Sequence, residues 1–318
     1  MPSQKRKVVV AGAGAVGATF CYALAQSGLA DDIALIDKNE SLARGQVLDL
    51  LHGQPFFPTV SIHVGDAADY ADAQVVVIAA GTAQLPGESR LDLLRRNAHI
   101  AGAIAADAAA HECPGVLLIV SNPVDILTYV ALKQTGWTRG RVIGSGTVLD
   151  SARLRHLLGM HCGVDVHNVH AYILGEHGDS EFAAWSMTHI AGMPIHEYCP
   201  LCRRCDDWEE QLQGIEQEVR DSAYHIINYK GSTHFAVGLA LVRITGAILR
   251  GQSTVLTVSV LLEGEYGLND LCLSVPCIIA ERGVRKIIES NLPQNERTAL
   301  DRSAAILKKA LADLDGDA

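Results

Sequence analysis

The sequence predicts an α/β fold, with a doubly wound parallel sheet over residues 1–145 and an α+β domain over residues 146–318. Three observations carry this. Short β-branched runs alternate with longer helical patterns through the first half, glycines punctuate the first strand-to-helix junction, and the rhythm changes after about Ser151. The strand candidates are Lys7–Ala11, Asp32–Asp37, Val60–Val64, Gln74–Ala80, Gly115–Val120 and Arg141–Ile143. Several are apolar on both faces, as strands buried between two layers of helices must be. Between them Ala15–Ser27, Leu91–Ala110 and Pro123–Gln134 have helical spacing, and Pro123 after Asn122 suits a first-turn position, where a missing N–H costs nothing.

Beyond Ser151 the texture is that of an α+β domain. Trp208–Asn228 and Phe235–Arg250 are amphipathic, Ser253–Leu262 and Leu271–Ile279 read as strands, and Pro293–Ala312 is a closing helix. No repeat or low-complexity linker separates the halves, so they are expected to share an interface.

Composition narrows the function. A chain of 318 residues that is 48% hydrophobic fills a sizeable core, and its net charge of -10 argues against a nucleic-acid polyanion as partner. Cysteines at 21, 113, 162, 199, 202, 205, 272 and 277 are too scattered for a disulfide framework, which points to a reducing cytoplasm. Lys5, Arg6 and Lys7 precede an uncharged stretch from Val8 to Ala30 that mimics a secretion signal. The stretch is weakly apolar, however, and its glycines stand where a turn needs them.

Those glycines are Gly12, Gly14 and Gly17 in Gly12-Ala13-Gly14-Ala15-Val16-Gly17, between the first strand and the first helix. In that context the pattern is a Rossmann-type dinucleotide turn. Gly12 permits the turn, Gly14 lets backbone approach a pyrophosphate, and Gly17 allows close helix–sheet packing. Asp37, twenty positions after Gly17 at the end of the second strand, suits the adenosine ribose hydroxyls and repels a 2′-phosphate, so NAD is expected over NADP. The plain alternative is an Ala/Gly-rich packing helix.

Reduction of a 2-oxo acid needs a proton donor, a carbonyl-polarising cation and a carboxylate anchor. His177 lies in the glycine-bracketed Gly175-Glu176-His177-Gly178-Asp179. Asp150 and Arg153 share a helix face at i,i+3. Arg90 follows the loop Gln84-Leu85-Pro86-Gly87-Glu88-Ser89, beyond a strand's carboxyl end, where ligands bind in such sheets; a surface turn is its plain alternative.

Together with Ser121-Asn122-Pro123-Val124-Asp125, Gly144-Ser145-Gly146-Thr147 and Lys230-Gly231-Ser232-Thr233, these motifs run the length of the chain, which resembles the lactate/malate dehydrogenase family in its bacterial lactate branch. The resemblance implies reversible reduction of pyruvate to L-lactate with NADH. It makes His177 the acid/base, Asp150 its orienting partner, Arg153 the carboxylate clamp and Arg90 the polarising residue on a closing loop. Asn122, Ser145 and Thr233 fall where the family positions substrate and nicotinamide, and Val16 and Val237 fall among its cofactor contacts. The family's malate enzymes carry an arginine where this chain has Gln84, so a substrate with an uncharged C3 substituent is expected. A non-catalytic NAD-binding scaffold is the reading from another class.

The resemblance also implies a homotetramer. Arg155 and His170 match positions that grip fructose 1,6-bisphosphate in activated bacterial members; a surface arginine and a core histidine are the plain alternative. Cys199, Cys202 and Cys205, preceded by His196, have CxxC spacing that can hold zinc, but with no obvious fourth ligand, free thiols in a surface loop are the default and no metal is expected.

Overall fold

The computed structural model describes residues 5–82, 87, 89–202, 204 and 207–315. The chain begins with strand β1 (Lys7–Ala11), helix α1 (Ala15–Ser27), β2 (Asp32–Ile36), α2 (Glu40–His52), β3 (Ser61–Val64) and β4 (Val75–Ile78). It continues with α3 (Arg90–Ala110), β5 (Val116–Ile119), α4 (Val124–Thr135) and β6 (Val142–Gly144). These six strands are parallel in the order β3-β2-β1-β4-β5-β6. Every residue of β1, β4 and β5 is buried, which explains their unbroken runs of Val, Ile and Leu. The uncharged stretch after Lys7 is therefore a core strand and its packing helix. Among the described residues no helix is long and apolar enough to cross a membrane.

The second half holds α5 (Val148–Cys162), the short strands β7 (Val169–His170), β8 (Ile173–Leu174), β9 (Phe182–Ala183), β10 (His189–Ile190) and β11 (Met193–Pro194), and α6 (Ile195–Cys202). Then come α7 (Trp208–Lys230), α8 (Phe235–Leu249), β12 (Thr254–Glu263), β13 (Asn269–Ala280), β14 (Gly283–Ile287) and α9 (Gln294–Asp315). The last three strands form an antiparallel meander that joins β6 where Ser259 pairs with Gly144, so one sheet of nine strands runs through both halves. Helices α1 and α8 pack against each other, as do α3 and α4. A second apolar cluster lies among α5, α6 and α7, built on Leu154, Leu158, Ile195, Cys199, Leu212 and Val219.

Pro123 departs from expectation. It is the residue that caps α4, in extended backbone at φ -76 and ψ 114, and the helix starts one position later. As the cap it accepts the Leu127 N–H at 3.0 Å on its carbonyl, while its missing N–H costs the helix nothing.

Candidate active site

The parallel order reverses between β1 and β4, and the crevice beyond their carboxyl ends is where an open sheet of this kind receives a ligand. The glycine turn lies there. Gly12 sits at φ +117, a conformation side chains rarely adopt, and its N–H donates to Ile36 O at 2.7 Å. A Cβ on Gly17 would lie 1.8 Å from Gly12 O, so α1 can approach the strand only without one. A Cβ on Gly14 would meet nothing within 4 Å. That open space lies at the amino end of α1, which no side chain caps. Asp37, just past β2, accepts from the Ala13 N–H at 2.7 Å and the Asn39 N–H at 2.8 Å. Val16 and Val237 are partly buried against the central core. An uncapped helix terminus, a cradle without side chains and a carboxylate at the end of β2 fit a dinucleotide.

At the end of β4, the buried Asn97 of α3 accepts from Thr82 N–H at 2.9 Å and donates to Asn122 O at 3.3 Å, tying Asn122 to the crevice. Ser145 follows β6, and its N–H donates to Ile119 O at 2.8 Å. Thr233 lies between α7 and α8.

The remaining chemistry gathers on the loop between β8 and β9. This loop is held at both ends. Gly175 exchanges backbone hydrogen bonds with Ser274 of β13, at 3.0 and 3.1 Å, and its φ of +100 turns the chain away from the strand. The Glu176 N–H donates to Ser303 Oγ of α9 at 3.1 Å, and Ser303 Oγ donates to Ser180 O at 2.8 Å. The His177 N–H donates to Asp125 Oδ2 of α4 at 2.8 Å.

Asp150 and Arg153 stand one turn apart on α5, and the loop delivers His177 to them. Two hydrogen bonds lock β8 to that helix: Ile173 N–H donates to Ser151 Oγ at 2.9 Å, and Thr147 Oγ1 donates to Ile173 O at 2.5 Å. Asp150, 2% exposed at its side chain, accepts from Arg153 Nη1 at 2.6 Å and meets His177 Nδ1 at 2.7 Å. Burial would depress the imidazole, but the charge and hydrogen bond of Asp150 outweigh it and raise His177 to about 9. Burial likewise opposes ionisation of Asp150, and the two cations around it bring its carboxyl below the usual range. His177 Nε2 and the other N–H groups of Arg153 make no hydrogen bond among the described residues. One buried carboxylate thus holds a proton donor and a cation that both keep hydrogen-bonding capacity unused among the described residues.

Two carboxyls here escaped the sequence reading. Asp125, wholly buried, receives the Ser259 hydroxyl at 2.5 Å besides His177 N–H, and burial pushes it up to about 6. Glu181, 4% exposed, lies 3.9 Å from His177 Nδ1. Asp150, His177 and Glu181 hold their ligating atoms within 4.8 Å, but the Arg153 guanidinium already supplies the cation that cluster needs.

Arg90 is the exposed first residue of α3, capped by Ser89, and its charge reaches Tyr224, whose hydroxyl donates to Asp179 at 2.7 Å. Arg90 makes no hydrogen bond to His177, Asp150 or Arg153 among the described residues. Gln84 and Cys205 lie outside the described residues. Cys199 and Cys202 correct the expectation of a surface loop: they belong to α6, with Cys199 only 1% exposed, because this helix turns Ile195 and Cys199 into the second core cluster. Arg155 donates from Nε to Val169 O at 3.0 Å, and with His170 and Arg243 it lines a cavity of about 520 Å³.

The comparisons agree with this geometry. Residues 6–144 match the lactate/malate dehydrogenase NAD binding domain and residues 147–315 its alpha/beta C-terminal domain. An L-lactate dehydrogenase of Treponema denticola is 60% identical over 99% of this chain and 100% of its own length. A lactate dehydrogenase from a Medee basin deep-sea metagenome library superposes with a TM-score of 0.95 at 42% identity, covering 98% of this chain and 99% of that one. The minor L-lactate dehydrogenase of Enterococcus mundtii in its ligands-bound form gives 0.94 at 40% identity, covering 99% of each. The chain belongs to the lactate/malate dehydrogenase family.

Proposed function

We propose that this chain is an NAD-dependent L-lactate dehydrogenase that interconverts pyruvate and L-lactate. One observation carries the reading: buried Asp150 holds both His177 Nδ1 at 2.7 Å and Arg153 Nη1 at 2.6 Å, and Nε2 has no hydrogen-bond partner among the described residues. The full-length likeness to L-lactate dehydrogenases supports it. NADH supplies the hydride when bound. Residues of the Gly12–Gly17 turn receive its phosphates and Asp37 its ribose, while Asn122, Ser145 and Val237 line the nicotinamide end.

His177 enters reduction as the imidazolium and gives its Nε2 proton to the oxygen that becomes the hydroxyl; oxidation needs the neutral ring. Asp150 fixes the tautomer by holding the proton on Nδ1. Arg153 keeps one Nη on Asp150 and offers its other donors to the substrate carboxylate, a paired contact that a lysine cannot reproduce. Arg90 closes over the carbonyl and excludes water, and Thr233 completes the substrate wall. Gln84 stands in sequence where the family's malate enzymes carry an arginine, so a second carboxylate on the substrate would lack that countercharge, at a cost of several kcal/mol, which favours pyruvate over oxaloacetate.

Two finer assignments belong to the same reading. Fructose 1,6-bisphosphate binds Arg155 and His170, and their shared cavity with Arg243 supports this. The chain assembles as a homotetramer in the cytoplasm; exposed apolar side chains such as Phe56 at 83% and Phe235 at 67% support self-association. The test is loss of NADH absorbance with pyruvate, oxaloacetate and branched 2-oxo acids, for the native chain and Gln84→Arg. Pyruvate is the preferred substrate of the native chain, and the variant moves toward oxaloacetate by at least about tenfold in kcat/KM. No turnover of any 2-oxo acid would leave an NAD-binding scaffold. Identical pyruvate curves with and without the bisphosphate would remove the effector assignment.

A further inference from the structure

Asp150 shares the imidazole with a second carboxyl. Glu181 closes the catalytic loop just before β9, and its side chain is withdrawn from solvent with the carboxyl 3.9 Å from His177 Nδ1. Nδ1 has one proton to donate and gives it to Asp150 at 2.7 Å. Among the described residues the Glu181 carboxyl makes no hydrogen bond, so it acts on its surroundings by charge alone.

The neighbouring charges leave His177 as its principal counterion. From α5 come Asp150 and Arg153, which are paired with each other at 2.6 Å. From α7 comes Arg220, which donates to Glu216 at 2.7 Å and to the Glu181 carbonyl oxygen at 3.2 Å. From α4 comes Asp125, which takes the His177 N–H, and Glu176 of the loop itself bonds to Ser180. Arg220 is matched by Glu216, while Asp150 is shared by two cations, Arg153 and His177; all three cations draw on the Glu181 carboxyl, and the imidazolium does so most strongly.

We propose that Glu181 is a positioning residue that makes His177 hold its proton over a wider pH range than Asp150 alone would give it. The proposal rests on His177 as the acid/base of the reaction. Burial, reinforced by the charge of Asp150, pushes the Glu181 carboxyl well above the usual range. Its ionisation is thereby moved up toward that of the imidazole. Each charge favours the other, since the carboxylate retains the imidazolium and the imidazolium promotes the carboxylate. Two such groups titrate as a pair, and the imidazole loses its proton over a broad range and late.

A glutamine at this position keeps the shape and removes the ionisation. The experiment compares the native chain with Glu181→Gln and Glu181→Asp by two readouts: the NMR titration of the His177 ring in the apo protein, and kcat/KM for pyruvate against pH. The expected result is a broad native titration that becomes a simple one-proton curve in Glu181→Gln, with its midpoint about one unit lower. Glu181→Asp keeps a charge but draws it back by one methylene, and its midpoint falls between the two. Should Glu181→Gln not fold, a native-like midpoint in Glu181→Asp would count against the proposal and an intermediate one for it. A ring titration of unchanged midpoint and slope in Glu181→Gln would overturn it. So would a uniform loss of kcat/KM at every pH, which is the mark of a merely structural side chain. If the native kinetic limb failed to follow the native ring titration, the acid/base reading of His177 would fall, while the NMR comparison would still decide the role of Glu181.

Discussion

Alanine at two glycines of one turn should separate cofactor binding from folding. At Gly17 the added Cβ would stand 1.8 Å from a backbone oxygen, Gly12 O, so the strand and helix must move apart by about 1 Å to reach even a tight contact. Overpacking against backbone of this kind costs about 1–3 kcal/mol. At Gly14 the backbone has φ -68 and ψ -174, which any residue adopts, and the new methyl meets nothing within 4 Å. The folded state therefore loses nothing, and the stiffer unfolded chain gives a gain of about 0.4–1 kcal/mol. That same methyl fills the space at the amino end of α1 that a pyrophosphate must enter. Loss of that approach should weaken NADH by at least about tenfold, or about 1.4 kcal/mol. Urea denaturation and NADH fluorescence titration read the two effects. Gly17→Ala lowers the urea midpoint, whereas Gly14→Ala folds like the native chain and binds NADH weakly. Native NADH affinity in Gly14→Ala, or native stability in Gly17→Ala, would refute this account of the turn.

Asp150→Asn removes the largest of the charges that lift His177 from 6.5 to about 9 and leaves only the weaker pull of Glu181 and Asp125 against burial. The fall in kcat/KM for pyruvate should then begin at least about one unit below pH 9, and an unmoved limb would dismiss Asp150 as the main cause. Glu265 is held at about 2 by two hydrogen bonds from Arg139, of 2.8 and 3.0 Å. A depressed carboxyl gives stability that is full above about pH 4.5 and lost as pH falls through 2, so Glu265→Gln should cost up to about 3 kcal/mol at pH 7 and under about 0.5 kcal/mol near pH 2. A gap independent of pH in urea denaturation would mean that packing, not charge, is lost.

The parallel half of the fold was legible because burial on both faces writes itself into sequence as runs such as Val8-Val9-Val10, and β1 and α1 have the bounds their pattern predicts. Helix α2 carries no such mark. Only Ala43 and Val47 of its thirteen residues are buried, so its apolar periodicity is faint. The strands β7 to β11 have two residues each, too few to show a period. The link between β6 and β12 is a single pairing of Gly144 with Ser259, across more than a hundred residues, which no local pattern encodes.

In the site, the i,i+3 spacing of Asp150 and Arg153 was readable because a helix converts spacing into proximity. His177 needed its motif as well, since thirteen histidines offer no other distinction. The roles of Asp125, Glu181 and Ser303 went unread for a different reason, although Asp125 stands in the motif that begins at Ser121: sequence gives the presence of a polar group but not its burial, and burial is what couples these three to the loop.

That coupling fixes the position of His177. His177 is braced by Asp125 on α4 from the first half, and by α5, β13 and α9 from the second. A ring held from both halves cannot drift when substrate arrives, so the distance from Nε2 to the reacting oxygen is set by the fold. Among the described residues Arg90 has no such bracing. It stands exposed at the start of α3, and its charge acts on Tyr224, whose hydroxyl donates to Asp179 of the same loop as His177. On the proposed reading, movement falls to Arg90, while Arg153 stays where α5 puts it and His177 where the braced loop holds it. Binding energy from closure can then be spent on water exclusion and charge rather than on assembling the acid.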